Sequence, residues 1–101
     1  MIYLQRIADA IQAEVDPSLV PDGDTKLLFL LYAVLAEAKG TEVQLRDVHD
    51  AWVAWMLTSG EPHESLREFD HLPPEVRAED EPYVRAIKIV AAANDDAREA
   101  R

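Results

Sequence analysis

Histidine, tryptophan and carboxylate crowd into one part of this chain. His49, His63 and His71 are its only histidines, Trp52 and Trp55 its only tryptophans, and positions 61–81 add eight carboxylates against two arginines. Imidazole beside carboxylate is the raw material of proton transfer and of metal ligation. Neither chemistry has a recognised spacing here. His63 and His71 stand eight positions apart across Glu64, Glu68 and Asp70, and the HExxH, CxxC and calcium-loop patterns are absent. Ser59 and Ser65 neighbour histidines only along the chain, with no oxyanion motif beside them. Pairs such as Glu64 and Glu68 arise by chance among twenty acidic residues. Phosphate-binding loops and dinucleotide fingerprints are missing, and the lack of cysteine removes thiolate nucleophiles and thiolate-held metals. No catalytic residue, metal ligand or cofactor is assigned. What remains of an enzyme reading is a histidine–carboxylate pair using His49 or His63.

Binding chemistry has more to work with. Trp52 and Trp55 are three apart and share a helix side, either as a core stripe or as an aromatic wall for a flat ligand or protein partner. Tyr83 closes such a pocket from the last helix, with Arg85 or Lys88 near enough to meet an anion. His49 sits at the edge of the same stripe, as a pocket base or as a boundary histidine bonded to a neighbouring loop. His63, followed by Glu64 and Ser65, opens a turn in which a side chain takes a free backbone donor. The candidate ligand or partner surface is His49, Trp52, Trp55, His63, Phe69, Tyr83 and Arg85.

The elements that must position these residues are helices. Leu4, Ile7, Ile11 and Val15 recur every three or four positions, which predicts a helix over 2–15 that Pro17 ends. Residues 16–24 form a loop with Leu19 and Val20 as anchors. Asp24 or Thr25 caps a second helix reaching about 39, where Gly40 fits the left-handed position. That helix is apolar nearly all round, so it is either central or covered by a second copy of the chain. Thr41 and Gln44 fit a capping box and predict a third helix over 42–58. Residues 61–79 are irregular, tied down by Leu66, Phe69 and Leu72, with a short turn at 74–77. Pro82 and its acidic neighbours open a last helix over 81–93. The fold class is all-α: a compact bundle of four main helices with an ordered loop or short helical turn before the last. Residues 1–95 form a single domain and 96–101 a polar, frayed tail.

The charge of −10 opposes binding to nucleic acid or to anionic membranes. The most apolar run, 27–36, is half the length of a membrane span, which needs about twenty residues. With no signal peptide pattern at its start, the chain is expected in the cytoplasm, or in the host cytoplasm if phage-encoded.

Val48-His49-Asp50-Ala51-Trp52, followed by His63-Glu64-Ser65-Leu66-Arg67-Glu68-Phe69-Asp70-His71-Leu72-Pro73, resembles the small repeat domain named after ryanodine receptors, which also occurs in bacterial and phage proteins. His49, Trp52, His63, Leu66, Phe69, Leu72 and Pro73 match its pattern, and Asp80 its aspartate before the final helix. The resemblance covers 48–90. It departs at Leu57-Thr58-Ser59-Gly60-Glu61-Pro62, which is shorter than the family's segment and lacks its tryptophan and tyrosine–glycine pair. The resemblance implies an all-helical module with no secure catalytic activity, and a ligand surface that is absent or rebuilt. The overall wording also resembles small actinobacterial and phage proteins. Together these features favour a non-catalytic binding or protein-interaction module, its partner another protein or a second copy. A small nucleotide-like ligand and a small histidine–carboxylate enzyme are the alternatives.

Overall fold

Ile7, Ile11 and Val15 all enter the core, as their spacing requires. In a computed structural model, which describes residues 2–99, the first two lie on helix α1 (Tyr3–Ala13). Val15 follows in the turn that leaves the helix. Pro17 then opens a 3-10 turn, Pro17–Leu19, in which the Asp16 carboxylate accepts from the Ser18 N–H at 2.9 Å.

Helix α2 (Lys26–Lys39) begins where Asp24 accepts from the Lys26 N–H at 3.0 Å. Of the two proposed caps, Asp24 makes the bond, while Thr25 is buried. Leu28, Phe29, Tyr32, Ala33 and Ala36 turn inward and pack against α1 and two later helices. The opposite side is not covered: Leu27 is 42% and Val34 47% exposed. The helix is therefore central on one side only.

Helix α3 (Leu45–Ser59) starts later than the capping-box reading placed it. Residues Gly40–Glu42 first form a 3-10 turn packed against the last helix, and Val43 is buried behind it. The box is shifted by three positions: the Gln44 N–H donates to the Asp47 carboxylate at 2.8 Å. Burying Val43 decides between two equally good local patterns.

A connector over residues 60–73 carries one 3-10 turn, Phe69–His71. It leads into the single-turn helix α4 (Pro74–Arg77), another 3-10 turn, Ala78–Asp80, and helix α5 (Glu81–Glu99). Helix α5 runs past its expected end near 93. Arg98 grips both oxygens of Glu37 on α2 at 3.0 and 3.1 Å, which holds the polar last turns against the bundle. Of the tail expected over 96–101, the part through Glu99 is helical, and the last two positions lie outside the described residues. The result is an all-α bundle of four long helices, with no strand among the described residues. No helix there is long and apolar enough to cross a membrane.

The centre is aromatic. Tyr32 meets Phe29 edge-on at 5.5 Å and Tyr83 at 5.3 Å between ring centroids, with Ile11, Leu28 and Ile87 fully buried around them. Leu27 and Leu28 are neighbours with opposite fates. Leu28→Ala should cost about 2–5 kcal/mol in urea denaturation, and Leu27→Ala about 0.5 kcal/mol or less. Equal losses would contradict the phase assigned to α2.

Candidate binding cleft

His49 and Trp52 of α3, one turn apart, organise the site. Val48 and His49 are buried at 0% and 2% exposure, which draws Trp52 to the edge of the core, half-buried. The His49 Nε2–H donates to the Arg67 carbonyl at 2.7 Å. A carbonyl only accepts, so this contact fixes the proton on Nε2. The bond spans eighteen positions and ties the connector to α3. The indole of Trp52 stacks on His49 with centroids 5.9 Å apart, and the His63 ring meets it edge-on at 5.0 Å. His63 is itself held in place, because its Nδ1 accepts from the Ser65 N–H at 3.0 Å.

Two arginines secure the rest of the connector. Arg46 pairs with Asp70 at 3.1 Å, and Arg77 donates to the carbonyls of Leu72 at 2.9 Å and Asp70 at 2.8 Å. Both guanidinium groups lie over the Phe69 ring, 5.1 and 5.2 Å from its centroid. Leu72 is buried beneath. An acidic segment with few apolar residues is thereby ordered by hydrogen bonds to its own backbone and by cation–π contact.

A cleft with two lobes runs along α3 and the start of α5, the tethered connector bounding the narrower lobe and the loop at 17–21 the wider. The narrower, about 160 Å³, is bounded by His49, Trp52, His63 and Asp80. The wider, about 550 Å³, is walled by Trp52, Tyr32, Tyr83, Leu19 and Pro21. Trp52, Glu79 and Asp80 belong to both lobes, and neither is lined by a Lys or Arg. Tyr83 donates its hydroxyl to the Leu19 carbonyl at 2.6 Å, which closes one wall.

The electrostatics of the cleft centre on Asp80. Burial pushes its carboxyl up to about 6, partly offset by the attraction of His49 and reinforced by repulsion from Glu79. Burial, and then the charge of Asp80, also raise the hydroxyls of Tyr32 and Tyr83 above the ordinary phenol value.

The sequence-predicted residues separate on this geometry. His49, Trp52 and His63 share the narrower lobe, and Trp52 and Tyr83 share the wider. His49 acts as a boundary histidine bonded to a loop. Trp55 packs at the edge of the core and lines neither lobe. Phe69 lies under two guanidinium groups instead of facing the cleft. Arg85 is exposed and also lines neither lobe. Two positions along a helix turn by about 200°, so Tyr83 pointing inward sends Arg85 outward; Lys88 likewise lines neither lobe. No anion-binding mouth forms there. Tyr32 and Glu79 were not singled out from sequence. Tyr32 reads as one more apolar position of α2, and only its neighbours across the bundle make it a cleft residue.

Among the described residues no hydrogen bond joins His49 or His63 to a carboxylate, and no group of three or more His, Asp or Glu side chains is placed to hold a metal ion. His71 approaches Glu68 only at 4.0 Å, on the open surface.

Fold and cleft together define a small all-helical domain with an acidic, aromatic-walled depression. The chain belongs to the family described as "Domain of unknown function (DUF7701)", whose model matches residues 2–92. That span takes in α1 to α3, the connector and the part of α5 that walls the cleft. No curated protein and no solved structure matches the chain.

A pH prediction follows from Asp80. Its native value lies above the ordinary one, so between about pH 4 and pH 6 the folded state keeps a proton that the unfolded state has released. Stability from this group is present below that window and lost as pH rises through it. Asp80→Asn should therefore gain stability relative to the parent as pH rises from 4 to 7, read by denaturation at both pH values. A gap that is constant with pH would contradict the assignment.

Proposed function

We propose that this chain is a non-catalytic binding module, phage-related in origin, which presents the cleft beside Trp52 to a protein partner. The observation that carries this reading is the anchoring of the connector. One bond from His49 and the carbonyl contacts of Arg77 hold a polar segment beside Trp52, so the narrower lobe exists before anything enters it. Binding then avoids most of the cost of ordering the loop. His49 and His63 are engaged with backbone groups, and neither is hydrogen-bonded to a carboxylate among the described residues. The resemblance of residues 48–90 to the ryanodine-receptor-type repeat, which implies an all-helical module with no secure catalytic activity, supports the same reading.

A nucleotide fits less well. Its phosphates would face Glu79 and Asp80 with no Lys or Arg in the lining. A second copy of the chain is a separate candidate partner, favoured by the uncovered apolar side of α2 around Leu27 and Val34. Light scattering over a concentration series should then show dimers that Val34→Glu abolishes. A monomer at all concentrations would remove that partner.

The main reading is tested by panning a random peptide library on the immobilised protein and re-measuring the selected peptides on Trp52→Ala. The variant is expected to keep its helical circular dichroism and to lose affinity by about tenfold or more. Equal affinity for both proteins, or no selected peptide, would overturn the reading.

A further inference from the structure

Asp80 carries its charge where the two lobes meet. Its carboxylate is partly buried, yet among the described residues it makes no ion pair and accepts no side-chain or backbone hydrogen bond. Glu79 beside it also lacks an ion pair and adds a second negative charge to the same cleft. Removing a carboxylate from water without a partner is costly, and folded chains ordinarily avoid it.

A second, independent feature points into the same space. Tyr32 is 1% exposed, and its hydroxyl is in no hydrogen bond among the described residues. No fully buried polar side-chain atom there is left without a partner. These facts together put the Tyr32 oxygen at the wall of the wider lobe, which Tyr32 lines with Asp80. The contrast with Tyr83 is informative: it lines the same lobe but has its hydroxyl satisfied by the Leu19 carbonyl at 2.6 Å.

We propose that the wider lobe is a site for an organic cation, an alkyl ammonium or guanidinium group held by Asp80 and the Tyr32 hydroxyl beside the Trp52 indole. This deepens the binding-module reading and rests on it. Each component answers a need of such a ligand. Asp80 and Glu79 supply the counter-charge, in a place where burial strengthens it. The Tyr32 oxygen accepts one of the cation's N–H groups. Trp52 offers an aromatic surface, the best of the side chains for a cation. Leu19, Pro21 and Tyr83 line the remainder and suit an alkyl stem. A lobe of about 550 Å³ is within the range of ligand pockets. The chain's net charge of −10 draws cations toward it at long range.

Two sources present this chemistry: a Lys or Arg side chain on a partner protein, and a free amine. Calorimetry on the full chain at neutral pH distinguishes them. The probes are a short blocked Gly/Ser peptide with one central Arg, the same peptide with Lys, the same peptide with neutral citrulline, and free agmatine and cadaverine. Saturable binding of the charged probes is expected, with the citrulline peptide weaker by about tenfold or more. Peptides binding more tightly than agmatine and cadaverine would place the cation on a protein, and the reverse would place it on a free amine. Asp80→Asn and Tyr32→Phe, each checked for folding by denaturation, should weaken the charged probes and leave the citrulline peptide unchanged. Binding should also strengthen as pH rises through about 6, where Asp80 ionises. Glu79, Tyr32 and Tyr83 also line this lobe, and His49 and His63 share the narrower lobe with Asp80, so the slope must flatten in Asp80→Asn to belong to Asp80. Equal affinity for the Arg and citrulline peptides would overturn the cation site. So would the absence of saturable binding by every charged probe, or equal binding by Asp80→Asn and the parent. Library peptides that still depend on Trp52 would show the module reading standing while the cation site falls.

Discussion

The hydrogen bond from His49 to the Arg67 carbonyl is the contact on which the functional half of the molecule depends. It is short, it is flanked by Trp52 and Phe69, and it joins residues eighteen positions apart. The connector carries few apolar side chains and many carboxylates, so burial alone would not hold it. A buried imidazole with one available carbonyl does so at a single point, and Arg46 and Arg77 extend the hold across the following turn. Without that point the narrower lobe has no outer wall.

The arrangement separates two duties that sequence patterns tend to merge. The core is aliphatic and aromatic around Phe29, Tyr32 and Tyr83, and it fixes the angles between α2, α3 and α5. The cleft borrows the outer surfaces of that core. Tyr32 packs with its ring and presents its oxygen; Trp52 packs on one side and faces the depression with the other. The carboxylates of Glu79 and Asp80 arrive from the 3-10 turn that opens α5. A site built this way inherits the rigidity of the bundle, which loops alone do not provide.

Much of the fold was legible in the sequence, because helix periods, prolines and glycines are local signals. The four long helices fall where the apolar spacing placed them. The errors are equally physical. The start of α3 moved because Val43 is needed in the core, a tertiary demand that no capping pattern encodes. Helix α5 outran its apolar stripe because Arg98 reaches Glu37, sixty-one positions away. Of the residues singled out in the sequence, His49, Trp52, His63 and Tyr83 line the cleft. Trp55, Phe69 and Arg85 line neither lobe: Trp55 packs at the core's edge, two arginines lie over Phe69, and helix phase turns Arg85 away. Tyr32 and Glu79 were invisible to sequence reading, since their role exists only once α2 and α5 are side by side.

The most direct test is the imidazole itself. In a long-range nitrogen–proton NMR spectrum of the folded chain, His49 should carry a proton on Nε2, and that proton should be slow to exchange. The backbone amides of 66–72 should be as ordered as those of α3 on the nanosecond timescale. A His49 with no proton on Nε2, or a connector moving freely while α3 stays rigid, would mean that the tether is not made and that the narrower lobe is not built before binding.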